Sequence, residues 1–249
     1  MGILDILFPK KCVMCRKMGE YLCPDCFARI SFDIQYKCLI CERPSWDGMT
    51  HPKCIGKYTI DGYFSAVAYR NVIKKMLYQF KYQPYLFDLQ SIITDLLYEN
   101  LIQNELFENV LKTSPVLIPI PLSKKKLRKR GYNQAELLAK NIAKRFGLRT
   151  IDCLARLTET KPQYGLSREE RIENIKGAFG IREGAIADVV RQSPKSNQTP
   201  SSLRTPRNDV KTALLVDDVL TTGSTLKEAA SILKRNGFEK VWAVTFAQD

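Results

Sequence analysis

Hydrophobic and polar positions follow two alternating periods from about residue 58 onwards. Segments in which apolar residues recur at three- and four-residue steps predict amphipathic helices, and they are 71–82, 86–102 and 133–146. Short apolar runs predict strands, the first of them as a strand or a hairpin, and they are 60–68, 116–119, 213–217 and 241–246. One more helix, with Leu226, Ala229, Ala230 and Leu233 on one stripe, precedes Gly237. Because strands and helices alternate, we expect an α/β domain with a mostly parallel sheet flanked by helices.

The first 57 residues lack this periodicity and are rich in cysteine. Four pairs of potential ligands, each pair separated by two residues, make up the set Cys12, Cys15, Cys23, Cys26, Cys38, Cys41, His51 and Cys54. The single histidine of the chain fills the one pair position that lacks a cysteine. Eight ligands predict two closed, structural zinc sites, and the repeated spacing disfavours reduced structural cysteines without metal. We expect the ligands to pair sequentially, with an interleaved arrangement as the alternative.

These patterns divide the chain into a small zinc-ribbon domain over 1–58 and a larger domain over 59–249. Within the larger domain, the stretch 187–209 is polar and rich in Pro and Ser, and we interpret it as a mobile insertion. The eighth cysteine, Cys153, lies in an apolar context and is expected to be a buried, inert thiol.

Composition and charge narrow the class of protein. The 249 residues include 39 Lys and Arg against 26 Asp and Glu, a net charge of +13, which favours polyanionic partners. No apolar run approaches the ~20 residues of a transmembrane helix, and the start has neither a basic segment nor a small-residue cleavage site. We therefore expect a cytosolic protein, in which the cysteines bind metal rather than form disulfides.

The strongest candidate for chemistry follows the apolar run that starts at Ala213. Two carboxylates, Asp217 and Asp218, come at the end of this strand, and a hydroxyl-rich turn leads from them into a helix. The turn comprises Thr221, Thr222, Gly223, Ser224 and Thr225. Backbone N–H groups at a helix start bind phosphate, while carboxylates bind sugar hydroxyls or order Mg²⁺. The succession predicts a ribose 5-phosphate site, and a simple Asp-Asp turn with a Thr cap explains it less well.

A dense basic segment follows the strand at 116–119. Six of the seven residues over 124–130 are positive, and the candidates for anion binding are Lys124, Lys125, Lys126, Arg128 and Arg130. A solvated loop or a localisation signal is the alternative interpretation.

The helix predicted over 71–82 has one basic and aromatic face opposite its apolar face. That face carries Lys74, Lys75, Tyr78, Lys81 and Tyr82. Single-stranded DNA sites combine positive charge with rings for base stacking, so this face is a candidate nucleic-acid surface, with a solvated amphipathic helix as the alternative.

The run Val-Asp-Asp-Val-Leu-Thr-Thr-Gly-Ser-Thr over 216–225 resembles the fingerprint of type I phosphoribosyltransferases. Together with Arg-Gly-Tyr-Asn-Gln at 130–134, Gln-Tyr-Gly-Leu-Ser-Arg-x-x-Arg at 163–171 and the zinc-binding pairs, it makes the chain similar to the ComF family (ComFC/GntX-like). The resemblance covers nearly the whole chain, and 187–209 is longer than the link usual in that family.

The resemblance implies roles for these residues. Asp217 and Asp218 would contact the ribose hydroxyls of phosphoribosyl pyrophosphate, directly or through Mg²⁺, and 221–225 would bind its 5-phosphate. The basic segment would bind pyrophosphate. A mobile hood over 161–179 would bring its polar residues to the ligand, and they are Gln163, Arg168, Arg171 and Asn174.

The resemblance also implies a bacterial cytosolic protein of DNA uptake in natural competence, acting near the inner face of the membrane. One hypothesis is an Mg²⁺-dependent transfer of ribose 5-phosphate to an acceptor. The other is a non-catalytic module that senses phosphoribosyl pyrophosphate and binds single-stranded DNA or DNA-uptake proteins. A zinc-ribbon transcription regulator is a third, weaker interpretation.

Overall fold

The computed structural model describes residues 9–82, 88–159, 168–185 and 211–249. Its centre is a five-stranded sheet with the order β1-β7-β6-β2-β3. These strands are β1 Gly62–Ala68, β2 Val116–Pro119, β3 Arg149–Thr150, β6 Thr212–Leu220 and β7 Lys240–Gln248. All neighbouring pairs run parallel, and the interior strands are apolar because both faces of the sheet are covered. The predicted α/β class is confirmed.

Helices cover the sheet. They are α1 Pro24–Phe27, α2 Asn71–Lys81, α3 Leu89–Leu101, α4 Glu105–Leu111, α5 Lys124–Arg130, α6 Gln134–Phe146, α7 Arg168–Ile175 and α8 Ser224–Arg235. The predicted helices at 71–82 and 133–146 are present within one residue. The prediction at 86–102 corresponds to α3, which begins at Leu89 after the cap residue Asp88 and ends at Leu101. Helix α4 was not predicted because its apolar stripe is only two turns long; Asn104 caps it by accepting a hydrogen bond from Phe107 N–H.

A second, small sheet lies beside the main one. Strands β4 Leu154–Arg156 and β5 Phe179–Ile181 pair antiparallel, and Cys153 next to them is fully buried. Burial raises the pKa of the Cys153 thiol to about 11, which keeps it in the unreactive thiol form.

The cysteine-rich segment packs on the main sheet domain. Cys12, Cys26 and Ile30 belong to the same apolar cluster as Phe64 of β1, and Met49 forms a bridge with Gly62. The expected boundary at residue 58 therefore falls in a short connection between two parts that share a core. The insertion predicted at 187–209 lies outside the described residues.

Among the described helices, α3 and α6 are 13 residues long, and none has the length and hydropathy that crossing a membrane requires.

Candidate functional site

The two carboxylates lie inside strand β6 rather than at its end. Strand β2 pairs with β6 only as far as Pro119 opposite Val216, whereas β7 stays paired with β6 to Leu220. The strand predicted to stop at Asp217 therefore continues for three residues, held by β7 alone. On the β2 side this leaves Asp217 and Asp218 at the edge of an open cavity of about 500 Å³.

The hydroxyl-rich turn closes one end of this cavity. Gly223 has φ +69°, a left-handed conformation, and helix α8 begins at the next residue. The Thr222 and Ser224 hydroxyl oxygens are 3.0 Å apart, and both Ser224 and Thr225 line the cavity. The first intrahelical bond runs from Lys227 N–H to Gly223 C=O, and Ser224 N–H donates to the Thr222 hydroxyl at 3.4 Å, so the positive end of α8 with its hydroxyl groups faces the cavity.

The two carboxylates differ in their partners. Asp217 Oδ1 accepts a hydrogen bond from Asp218 N–H at 2.8 Å, and Asp218 Oδ1 lies 2.8 Å from the Lys81 ammonium. Burial, followed by the charge of Asp218, raises the pKa of Asp217 to about 7, although Lys81 and Arg156 act in the opposite direction. The pair is thus arranged to gain from a divalent cation or from hydroxyl donors.

The basic segment forms a short helix, α5, and not the solvated loop of the alternative interpretation. Ser123 caps its start and Gly131 ends it with φ +78°. A helix turns successive side chains about 100° apart, so only part of the set can face the cavity. Lys126 and Arg130 line it, whereas Lys124, Lys125 and Arg128 are exposed on the other sides of the helix.

Cations from several elements converge on the same cavity. Burial lowers the pKa of Lys126, and the charges of Arg156, Arg130 and Lys81 lower it further. These cations repel one another in the absence of an anion, so an anionic ligand would relieve the repulsion. The cluster therefore fits a polyphosphate group next to the two acids.

Sequence reasoning missed Arg156 and assigned Lys81 to a different surface. Arg156 is the last residue of the three-residue strand β4, and its guanidinium stacks on the Phe179 ring at 5.3 Å. A single arginine in a short strand carries no local signal of function. Its approach to Asp217 depends on the docking of the small sheet.

The candidate nucleic-acid face of α2 is divided in the structure. Lys74 and Lys81 line the cavity, while Tyr78 and Tyr82 are exposed with ring centroids 4.9 Å apart. Arg130 lies over the Tyr82 ring at 5.1 Å, and Lys75 is exposed and does not line the cavity. One flank of the face therefore belongs to the cavity, and the aromatic stack remains at the surface.

The hood is described only in part. Gln163 lies outside the described residues, and the side chains of Arg168 and Arg171 in α7 are also outside the description. Asn174 is half-buried in α7 and is not among the described residues that line the cavity. Gly177 N–H donates to Glu228 of α8 at 2.8 Å, which attaches the end of the hood to the last helix.

The eight candidate zinc ligands form two clusters. Cys12, Cys15, Cys23 and Cys26 make one, Cys38, Cys41, His51 and Cys54 make the other, and within each cluster the ligand atoms lie within 4.8 Å of one another. This is the sequential grouping.

The second cluster has the geometry expected of a zinc ligand set. Cys41 Sγ is 3.2 Å from His51 Nδ1, and the other ring nitrogen, Nε2, lies 3.0 Å from the Pro44 carbonyl oxygen. A proton on Nε2 that is donated to Pro44 leaves Nδ1 as the metal-binding nitrogen. In the first cluster Cys15 Sγ and Cys23 Sγ are 3.5 Å apart, close to the ~3.8 Å edge of a tetrahedron with Zn–S bonds of about 2.3 Å. Both donor sets fit zinc with every position filled, which is typical of structural sites.

Comparison with known families agrees with both parts of the fold. Residues 3–55 match the double zinc ribbon domain, and residues 172–249 match the phosphoribosyl transferase domain. The chain is thus a phosphoribosyltransferase-type protein with an amino-terminal double zinc ribbon.

The chain is also similar to individual proteins. Competence protein F of Haemophilus influenzae is 28% identical over 253 residues, covering 99% of this chain and 94% of its own length. Competence protein ComFC of Bacillus subtilis is 25% identical over 235 residues, covering 89% and 81%. DNA utilization protein YhgH of Escherichia coli O6:H1 is 30% identical over 131 residues, about half of each chain. The chain is thus similar to competence proteins over most of its length.

Proposed function

We propose that this protein binds phosphoribosyl pyrophosphate together with Mg²⁺ in the cavity at the end of β2 and β6. The observation that carries the proposal is the meeting of three complementary surfaces in one cavity: the carboxylates of β6, the hydroxyl turn before α8, and the cations of α5. A sugar flanked by a phosphate and a pyrophosphate has the matching sequence of chemical groups.

Each surface has a separate task in this proposal. The start of α8 binds the 5-phosphate through the Ser224 and Thr225 side chains and the positive end of the helix. Asp217 and Asp218 bind the ribose hydroxyls and would hold Mg²⁺, which when bound neutralises phosphate charge. Lys126 and Arg130 bind the pyrophosphate.

The catalytic form of the proposal is transfer of ribose 5-phosphate to an acceptor. The bond from ribose C1 to the pyrophosphate oxygen breaks, the acceptor forms a new bond to C1 and gives up its proton, and pyrophosphate leaves. Positive side chains held in place before the reaction stabilise the charge that develops on the leaving group. The proposed contribution of this protein is therefore electrostatic.

Calorimetric titration with phosphoribosyl pyrophosphate, with and without Mg²⁺, tests the binding. We expect Asp217→Asn/Asp218→Asn and Lys126→Met to weaken binding by at least about tenfold, since each removes charge-assisted contacts. Lys124→Met is the matched control, because Lys124 belongs to the same helix but is exposed outside the cavity. Absence of binding by the wild-type protein would refute the proposal. Release of pyrophosphate in the presence of candidate acceptors then separates catalysis from binding alone.

A second candidate function is favoured by the exposed aromatic stack. Tyr78 is 62% exposed although its ring contacts Tyr82. Arg130 lies over the Tyr82 ring, and Lys75 is three residues before Tyr78 on the same helix. Such a stack offers surfaces on which bases of single-stranded DNA could lie. In this form the protein is a non-catalytic module of DNA uptake that senses the sugar phosphate.

The names of the relatives support placing either function in the handling of DNA during competence. We propose a cytosolic location at the inner face of the membrane, with DNA-uptake proteins as partners. Fluorescence anisotropy with a labelled oligothymidylate tests the DNA surface. We expect Tyr78→Ala to weaken binding by about fivefold or more and Tyr78→Phe, which keeps the ring, to bind normally. Equal affinities of the two variants would remove the stack from the DNA surface.

A further inference from the structure

Lys81 is the last residue of α2, and its side chain enters the cavity instead of extending into solvent. Its ammonium is 2.8 Å from Asp218 Oδ1, and the two side chains are only 18% and 13% exposed. This contact joins the helix after β1 to the acidic pair of β6, which lies two strands away in the sheet order. Neither the phosphoribosyltransferase fingerprint nor the basic segment includes Lys81.

The position of Lys81 is fixed by contacts on both sides of it in the chain. The preceding residue, Phe80, accepts a hydrogen bond at its carbonyl from the Tyr132 hydroxyl. The following residue, Tyr82, accepts a hydrogen bond at its hydroxyl from Arg130 at 3.4 Å. Both donors belong to the segment that ends α5 and leads into α6. The end of α2 is therefore held against the basic helix.

These contacts place Lys81 in the same cation cluster as the basic helix. Lys81, Lys126, Arg130 and Arg156 line one cavity, and the charge of Lys81 contributes to the lowered pKa of Lys126. Three described carboxylates line this cavity, and they are Asp217, Asp218 and Asp249. Lys81 thus lies between the acids and the cations, with its ammonium currently against the acids.

We propose that Lys81 is a binding residue for the pyrophosphate end of the ligand and that it exchanges its partner when the ligand enters. In the free protein it neutralises Asp218. When ribose hydroxyls or a divalent cation engage Asp218, the ammonium loses that partner and turns to the diphosphate beside Lys126 and Arg130. The inference rests on the proposed function, since it assigns one more residue to the same cavity.

The exchange of partners by Lys81 predicts a different result from a purely structural role, in which Lys81 only compensates the charge of Asp218. A lysine that only compensates Asp218 would affect the sugar end of the ligand, because its loss changes the acids alone. A lysine that transfers to the diphosphate affects ligands that contain a diphosphate, and it leaves ribose 5-phosphate largely unchanged.

Calorimetry in the presence of Mg²⁺ with three ligands separates these cases: phosphoribosyl pyrophosphate, inorganic pyrophosphate and ribose 5-phosphate. We expect Lys81→Met to lose about tenfold or more in affinity for the first two and less than about threefold for the third. Lys81→Arg should regain part of the loss. Lys75→Met is the matched control, because Lys75 is an exposed lysine of the same helix that does not line the cavity.

Each outcome decides the inference. Equal losses for all three ligands, or unchanged affinity for inorganic pyrophosphate, would overturn it, provided that the thermal unfolding midpoint shows Lys81→Met to be folded. Wild-type protein that binds pyrophosphate but not phosphoribosyl pyrophosphate would refute the proposed function. The role of Lys81 would then be decided by comparing the affinities of the wild type and Lys81→Met for inorganic pyrophosphate. Wild-type protein that binds neither would refute both.

Discussion

Leu39, in the turn between two cysteines of the second zinc cluster, lies directly against Gly223 of the hydroxyl-rich turn. A Cβ atom built on Gly223 would stand 2.8 Å from Leu39 Cδ2, closer than side chains tolerate. Leu39 is 6% exposed and belongs to the same apolar cluster as Leu220 and Leu226 on either side of the turn. The zinc ribbon therefore supports the turn from outside the cavity.

Gly223→Ala should impair the turn in two ways, by strain at a positive φ and by collision with Leu39. We expect a loss of about 1–3 kcal/mol in the free energy of unfolding and at least about tenfold weaker binding of phosphoribosyl pyrophosphate. Urea denaturation and calorimetry measure the two effects. Gly237→Ala is the control, because Gly237 has φ +103° but open space around it. If Leu39→Ala in the Gly223→Ala background restores no affinity, contact with Leu39 is not the cause.

Loss of the second zinc cluster should affect the proposed phosphate site more than loss of the first. Cys41→Ser removes a ligand from the cluster that carries Leu39, whereas Cys15→Ser alters the cluster farther along the chain from that turn. Both changes should lower zinc content and thermal stability, because metal binding contributes to folding. Once the affinity is corrected for the fraction of folded protein, we expect only Cys41→Ser to bind ribose 5-phosphate more weakly than the wild type. Zinc analysis and calorimetry at a temperature where both variants are folded provide the comparison.

The raised pKa of Asp217 predicts that ligand binding depends on pH near neutrality. The carboxyl is largely protonated below pH 7 and ionised above it, so affinity for Mg²⁺ and phosphoribosyl pyrophosphate should rise as pH passes through about 7. The phosphate of the ligand titrates near pH 6 as well. Asp217→Asn isolates the protein contribution, and it should retain only the dependence that comes from the ligand. Identical pH profiles for the variant and the wild type would contradict the prediction.

The same pKa has a consequence for stability. Between the ordinary carboxyl pKa of 3.8 and the value of about 7, the folded state binds a proton that the unfolded chain has lost. The contribution of Asp217 to the free energy of unfolding therefore falls as pH rises through this interval, and it is constant above it. Asp217→Asn should accordingly be more stable than the wild type at pH 8 in the absence of ligand, as measured by urea denaturation.

A buried ion pair at the opposite end of the sheet provides a test of the fold that is independent of the site. Asp61 and Lys234 are 5% and 6% exposed and 2.7 Å apart, and Asp61 also accepts a hydrogen bond from Val241 N–H. Asp61→Ala leaves the Lys234 ammonium buried without this partner, which should cost about 3–5 kcal/mol in the free energy of unfolding. Lys240→Met removes the exposed partner of Asp61 and should cost less than about 1 kcal/mol. Urea denaturation of both variants checks the contrast.

Much of the fold followed from periodicity. Helices α2 and α6 and strand β2 were predicted nearly to the residue, because one face of each helix and the whole strand are apolar. Strand β6 was predicted too short, since Asp217 and Asp218 interrupt its apolar run and the residues after them are held only by pairing with β7. No helix was predicted for the basic segment, because it has no apolar stripe, whereas the Ser123 cap and Gly131 make it a helix.

The residues of the candidate site also fall into two groups, those that the local sequence indicated and those that it did not. The acids and the hydroxyl turn are consecutive in sequence, so local reasoning located them. Lys81 and Arg156 come from a helix and a small sheet far away along the chain, and no local pattern relates them to Asp217 or Asp218.

The sequence by itself determined which groups this protein carries: four ligand pairs, two acids before a hydroxyl turn, and a dense run of cations. Those assignments depend on spacing over a few residues, which the backbone converts directly into local geometry. Tertiary structure decided which of the groups meet. Only the strand order brings the end of α2 to β6, and only the packing of the zinc ribbon sets Leu39 against Gly223. Such contacts join segments that are distant in the sequence. They are fixed by the burial of the whole core, and no single segment determines them.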